Sequence, residues 1–329
     1  MKQNEKIKIG IIGYGNLGRG AELAVQNNLD MELVGIFTRR DPATIKTATH
    51  HVKVYPYHDI ESFKGKIDVM VLCGGSASDL PKMSPEVVEH FPIVDSYDNH
   101  AKIPEHYERV NEAALKGGNT AIISTGWDPG LFSLNRLLGE IVIPKGGTHT
   151  FWGEGLSQGH SEAVRRIKGV KHAVQYTVPI ESVLADARRG KGENLSAAER
   201  HKRVCYVVAD EKEHKRIEKE IKTMPDYFAP YDTTVHFIDE ATFFNEHQKM
   251  KHGGFVIRSG KTSPNHQQTV EFSLTLESNP EFTASVLVAY ARAAHRLQKK
   301  GEIGAKTPFD VPFALMTNKT TAQLMKELL

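Results

Sequence analysis

Gly13, Gly15 and Gly18 stand in the spacing G-x-G-x-x-G within GYGNLG, directly after the apolar run KIKIGII and before the helix-forming stretch RGAELAVQNN. In the order strand, glycines, helix, this pattern binds a dinucleotide. Gly13 permits the tight turn, Gly15 lets a pyrophosphate reach the backbone, and Gly18 lets the helix pack closely on the strand. The helix start then offers unpaired N–H groups to the phosphates. The next strand, MELVGIF, ends in Thr38-Arg39-Arg40 and not in the acid that bonds a ribose 2′-hydroxyl. Two guanidiniums and a hydroxyl suit a 2′-phosphate, so the expected cofactor is NADP.

The elements that must position these groups recur along the first third of the chain. IDVMVLC (67–73), FPIVD (91–95) and the run 119–124 are strand-like, with helical stretches between them. Such alternation predicts an α/β fold with a doubly wound, parallel, Rossmann-type sheet. Ligands in such sheets sit beyond the C-terminal strand ends. Three stretches fall there: Cys73-Gly74-Gly75-Ser76-Ala77, then DSYDNH from Asp95 to His100, then STGWDPG from Ser124 to Gly130. Asp128 is read in two ways at once. It is expected to cap a helix, with Pro129 at the first helical position, and to turn its carboxylate toward the cofactor's reactive end.

After about residue 125 the pattern changes to alternating Thr- and Val-rich strands such as VKHAVQYTVPI and TVEFSLTLE. This predicts a second, α+β domain over residues 125–279 on a mainly antiparallel sheet, after a dinucleotide-binding domain over residues 1–124. The segment EKEHKRIEKEIKTM reads as a charged helix with Ile217 and Ile221 one turn apart as its apolar stripe. A long helix within about 280–329, EFTASVLVAYARAAHRLQKKG, is expected to pack back on the first domain. Glycine-rich stretches such as FWGEGLSQGHSEA and KMKHGGFV suggest binding loops.

Several chemistries are disfavoured. The net charge of +2 argues for neither nucleic acid nor an anionic membrane. No apolar run is long enough to span a bilayer, and no secretory leader is evident, so a cytoplasmic enzyme is expected. Two cysteines make no disulfide framework, and no metal-ligand spacing occurs, so no metal is expected. His50-His51-x-Lys53 is superficially similar to the histidine pair of dihydrodipicolinate reductases but runs on into VYPYHD, and is discounted. Cys73 lies on an apolar strand end with no paired histidine evident and reads as a structural thiol, not a nucleophile.

Taken together, GYGNLGRG, GIFTRR, VLCGGSASD, VDSYDNH, STGWDPG, FWGEGLSQGHS, HKRVCYVVAD, TMPDYF, FIDEATF and HGG resemble the meso-diaminopimelate dehydrogenase family along nearly the whole chain. The resemblance implies oxidative deamination, with NADP, of the D-configured end of a symmetric diamino diacid. The products would be L-2-amino-6-oxopimelate, which cyclises to tetrahydrodipicolinate, and ammonia. It implies that Asp98 and Asp128 hold the reacting amino acid end, with Trp152, Gln158 and Gly159 lining the same pocket. Thr177, Arg203, His252 and Asn279 would hold the distal, L-configured end. Gly13, Tyr14, Gly15, Asn16, Leu17, Thr38, Arg39, Arg40, Cys73, Gly74, Ser76 and Ala77 would contact the cofactor. Family members are homodimers. The alternatives are another NADP-dependent reductase or dehydrogenase of a small dicarboxylate, and a non-catalytic NADP-binding redox sensor.

Overall fold

The computed structural model describes residues 6–49, 51–191, 195–225, 227–247 and 249–329. His50 and the side chain of Gln158 lie outside the described residues. The chain divides into two compact units, one of residues 1–134 with 280–329, the other of residues 135–279.

The first unit begins β1 (Ile7–Ile12), α1 (Asn16–Gln26), β2 (Met31–Thr38), β3 (Val54–Pro56), β4 (Val69–Leu72), α2 (Leu80–Val88), β5 (Ile93–Asp95), α3 (Ile103–Gly117) and β6 (Thr120–Ile122). Helix α4 (Leu131–Val142) follows. Every strand pair among β1–β6 is parallel. Alternate side chains of one strand point to opposite faces, and both faces are covered. Val69 and Val71 of β4 therefore enter one core, while Met70 and Leu72 enter the other.

The second unit contains β7 (Gly146–Trp152), β8 (Gly155–Leu156), α5 (Gln158–Arg165), β9 (Val170–Pro179), α6 (Glu181–Arg188), α7 (Ala197–Arg200), β10 (His201–Ala209), α8 (His214–Lys222), β11 (Asp232–Phe237), α9 (Glu240–Glu246), β12 (His252–Ser263) and β13 (His266–Leu276). It holds two sheets, ordered β11-β10-β9-β8 and β13-β12-β7. Antiparallel pairing dominates, as the alternating strands predict, but β10 and β11 run parallel. Helix α8 intervenes between those two strands in sequence, and such a crossover is what a parallel pair requires. Ile217 and Ile221 are fully buried in the core that α8 shares with Cys205 and Val207 of β10.

The chain closes with α10 (Asn279–Lys299), β14 (Gly304–Lys306) and α11 (Thr321–Leu328). Leu287, Tyr290, Ala291 and Ala294 of α10 join the core on the Ile9, Ile11 and Val71 side of the first sheet. Strand β14 pairs with β6 and completes the order β14-β6-β5-β4-β1-β2-β3. The fold is thus α/β, a doubly wound parallel sheet with a second α+β unit. No helix among the described residues is long and apolar enough to cross a membrane.

Candidate functional site

The cofactor-facing cleft forms where β1, β2 and β4 end. It has a volume of about 270 Å³, and its lining includes Gly13, Gly15, Thr38, Arg40, Cys73 and Gly74. Helix α1 starts from Gly15 with no side-chain cap, and the positive end of a helix dipole at this place favours an anion. A Cβ on Gly15 would meet nothing within 4 Å, which leaves the open backbone that a pyrophosphate needs. A Cβ on Gly18 would lie 2.2 Å from the Gly13 carbonyl oxygen, so only glycine lets the helix sit this close to the turn. Asn16 and Leu17 form the first turn of α1.

At the end of β2, Thr38 is buried and its hydroxyl accepts the Arg40 N–H at 3.1 Å. The Arg40 guanidinium donates to the Tyr14 carbonyl, while Arg39 is exposed and donates to Asp79 at 2.6 Å. The Tyr14 hydroxyl donates to the buried Glu22, and Glu22 also takes the N–H groups of Ala48 and Thr49 at 2.9 and 2.8 Å. The glycine loop and the segment after the two arginines are therefore fastened to one carboxylate. Burial pushes the Tyr14 phenol up to about 12 and keeps it a donor. These residues fit a dinucleotide carrying a 2′-phosphate.

The loops at the other end of the same sheet edge are tied to each other. The Ser76 hydroxyl accepts the Asp98 N–H at 3.1 Å and donates to the Ser96 carbonyl at 3.4 Å. Gly74 and Ala77 flank this knot in the chain. Asp98 is exposed, and Asp128 is half-buried. One expectation about Asp128 is corrected. Helix α4 begins at Leu131, and Asp128 and Pro129 form a turn between the bridged residues Trp127 and Gly130. Asp128 is thus not the residue next to the helix, and Pro129 is not its first residue. Closing the turn by the Trp127–Gly130 bridge displaces the helix start, with Leu131 and Phe132 donating to the Gly126 and Trp127 carbonyls.

In the second unit, Thr177 of β9 lies directly opposite Arg203 of β10, and the guanidinium donates to the threonine hydroxyl. Both residues are buried. The Arg203 guanidinium carbon lies 4.1 Å from the centre of the Tyr231 ring, its Nε has no partner, and no carboxylate pairs with it among the described residues. Thr177 also faces Gly155 of β8, where a Cβ would come within 2.4 Å of the His252 ring. Only glycine at 155 admits that imidazole, so Thr177, Arg203 and His252 gather around one short strand. Trp152 is held from another side, because its backbone N–H donates to His201 Nε2 at 2.9 Å while the two rings lie 5.4 Å apart. Gly159 is exposed in the first turn of α5. The Asn279 N–H donates to the Met250 carbonyl at 2.9 Å, close in sequence to His252.

His201 and Tyr231 were not singled out from the sequence. His201 had a signal, since it stands two residues before Arg203 on one strand and so shares its face. Its Nδ1 lies 2.8 Å from the Ala197 carbonyl, and burial lowers its pKa to about 4, so neutral Nε2 accepts from Trp152. Burial likewise pushes the Cys73 thiol up to about 12, which makes it a poor nucleophile. No group of three or more His, Cys, Asp or Glu side chains is placed to hold a metal among the described residues.

A family model described as the diaminopimelic acid dehydrogenase C-terminal domain matches residues 126–278. The chain is 58% identical over 325 residues to a meso-diaminopimelate D-dehydrogenase of Ureibacillus thermosphaericus, covering 98% of this chain and 99% of that one. Among solved structures it is similar to a six-substitution mutant of meso-dapdh from Clostridium tetani E88 with DAP. That likeness has a TM-score of 0.92 and 54% identity, over 98% of this chain and 100% of the other. An engineered D-amino acid dehydrogenase bound to NADP+ is similar at 47% identity and a TM-score of 0.86, over 98% and 100% of the two chains.

Proposed function

This chain belongs to the meso-diaminopimelate D-dehydrogenase family, and from that membership we propose how its residues carry out the reaction. The enzyme is an NADP-dependent oxidoreductase of lysine biosynthesis. It deaminates the D-configured centre of meso-diaminopimelate, reversibly, to L-2-amino-6-oxopimelate, which cyclises to tetrahydrodipicolinate, and ammonia.

NADP, when bound, supplies the hydride acceptor. The chain must do the rest. Asp98 and Asp128 hold the reacting ammonium, with Trp152 and Gly159 beside it. The ammonium loses a proton before the hydride leaves, because its lone pair is needed to form the carbon–nitrogen double bond. That proton passes to Asp98, to Asp128 or to a water they hold. Water then adds to the imine carbon, and ammonia departs. Thr177, Arg203, His252 and Asn279 hold the amino acid end that does not react.

The observation that carries this reading is Arg203. A buried guanidinium with an unpartnered Nε and no carboxylate beside it calls for an anion from outside the chain. A substrate with a second carboxylate supplies one, and a redox sensor has no use for the site. Nicotinamide absorbance tests it. NADP+ should be reduced with meso-diaminopimelate, releasing one ammonia per NADPH, and not with the L,L isomer. Equal rates on both isomers would overturn the assignment of Asp98 and Asp128 to a D-configured centre.

In this reading residues 1–124 bind the dinucleotide, 125–279 bind substrate and make the dimer contact, and 280–329 completes the first domain. Leu137, Leu138, Ile141 and Val142 form an exposed apolar stripe on α4; a patch of that kind marks a protein–protein contact, which supports the reading of a homodimer. An enzyme that draws on NADP and free diaminopimelate is placed in the cytoplasm.

A further inference from the structure

Asp95 ends β5 with none of its surface exposed, and the reaction as described makes no use of it. Its Oδ1 accepts the N–H groups of Tyr97 and Ser124 at 3.1 and 2.9 Å. Its Oδ2 accepts the Ser84 hydroxyl of α2 at 2.7 Å and lies 2.8 Å from His106 Nε2 of α3. Its backbone carbonyl takes both the N–H and the hydroxyl of Thr125, at 2.9 and 2.8 Å. The His106 ring stacks on Tyr97 with centres 4.0 Å apart.

This one residue replaces the β5–β6 ladder just where that ladder stops. The strands pair through Val94 and Ile122, and beyond them the chains leave the sheet as the two loops that carry Asp98 and Asp128. Asp98 lies three residues past Asp95, and Asp128 three residues past Thr125. Ser124 has φ of +56°, a left-handed conformation that non-glycine residues keep only where their surroundings dictate it. Its N–H is held by Asp95. We infer that Asp95 is a positioning residue for the reaction: its carboxylate and carbonyl clamp the roots of both loops, and so set Asp98 against Asp128.

The inference rests on the reading of Asp98 and Asp128 as ligands of the reacting end, so the test includes Asp128→Ala as a reference. Asp95→Ala removes the acceptor for both N–H groups. Its kcat/KM on meso-diaminopimelate should fall about a hundredfold, the order of loss that ångström-scale misplacement of a reacting group produces. NADP+ affinity should stay within about threefold of wild type, because the phosphate-binding residues are untouched. With substrate deuterated at the reacting carbon, the isotope effect on kcat should rise, since a misaligned hydride transfer becomes rate-limiting. A purely structural loss would lower the active fraction and leave the isotope effect unchanged. Asp95→Asn keeps Oδ1 as an acceptor and should recover kcat/KM to within about tenfold.

If Asp95→Ala does not fold, Thr125→Val removes only the hydroxyl bond, and a severalfold fall with a raised isotope effect carries the same test. An inactive Asp128→Ala beside a clamp variant of wild-type kcat/KM and isotope effect overturns the clamp. Equal damage in the Asn and Ala variants overturns it too. A fully active Asp128→Ala overturns the reading on which the clamp depends.

Discussion

Arg39 donates to Asp79 at 2.6 Å on the lining of the cofactor cleft, so the guanidinium expected to meet a phosphate rests on a carboxylate of the chain itself. The Gly75 N–H and then Arg39 hold the Asp79 carboxyl below its usual range. The pair is exposed on the arginine side, and such pairs contribute about 0–1 kcal/mol. A hydrogen bond to a charged phosphate contributes about 1.5–3 kcal/mol, so the phosphate should displace Asp79. Converting Arg39 and Arg40 together to Met should therefore weaken NADP+ binding by at least tenfold and leave NAD+ binding unchanged. Asp79→Asn should tighten NADP+ by up to about fivefold. Titration of both cofactors into each variant decides it, and a parallel loss for NADP+ and NAD+ would contradict the phosphate role.

Truncating Arg203 to Met should cost about 2–3 kcal/mol of binding for a substrate with a distal carboxylate, roughly a 30- to 150-fold fall in kcat/KM. A D-amino acid with an apolar side chain presents no such group and should be little affected. The ratio of the two activities should rise. A constant ratio would remove Arg203 from the site.

Asp128→Ala should lower kcat by about a hundredfold or more, because the reacting centre loses an orienting carboxylate. Loss of a helix cap costs about 1 kcal/mol. The loss of stability should stay on that order, far too small to account for the fall in kcat. Thermal unfolding and steady-state kinetics on the same preparation separate the two effects. Normal kcat and KM would leave the carboxylate without a catalytic part.

His201 and His160 are both lowered by burial to about 4, from an ordinary value near 6.5. The unfolded chain therefore binds protons that the folded chain refuses between these values. Their contribution to stability is fully present above about pH 6.5 and is lost as pH falls toward about 4. The slope from His201 alone should approach about 1.4 kcal/mol per pH unit in that window. His201→Gln keeps an acceptor for the Trp152 N–H, and should flatten the fall in melting temperature between pH 6.5 and 4. An unchanged profile would show that His201 is not the titrating group.

Replacing Leu138 and Ile141 by Glu should convert the chain to a monomer in light scattering at micromolar concentration. Both side chains are exposed, at 51% and 66%, so the fold itself should tolerate them. A dimer that survives both changes would place the contact elsewhere.

GYGNLG and the Thr38-Arg39-Arg40 strand end were legible because a tight turn, a helix start and a strand end are made by residues a few positions apart. Their chemistry depends on backbone freedom and charge that the residue types carry with them. The Asp128 turn was less legible. Asp-Pro before an apolar stretch has the composition of a helix start, and the bridge from Trp127 to Gly130 that moves the start is not written in the residue types. Asp95 was legible only as the first residue of a stretch at the ligand end of the sheet, since nothing in its type or spacing says that it clamps two loops.

The sequence by itself determined the alternation of strands and helices, the dinucleotide loop and its preference for a 2′-phosphate, and the family to which the motifs point. All of these follow from local periodicity, local turns and side-chain charge. Only the tertiary structure decided that Arg203 meets Thr177 26 residues away, that Trp152 hangs on His201 49 residues away, and that Asp95 holds Ser124 across 29 residues. Those contacts depend on strand order and register. A one-residue slip of β10 against β9 would reverse which side chains face the site, although the alternation along each strand would read the same.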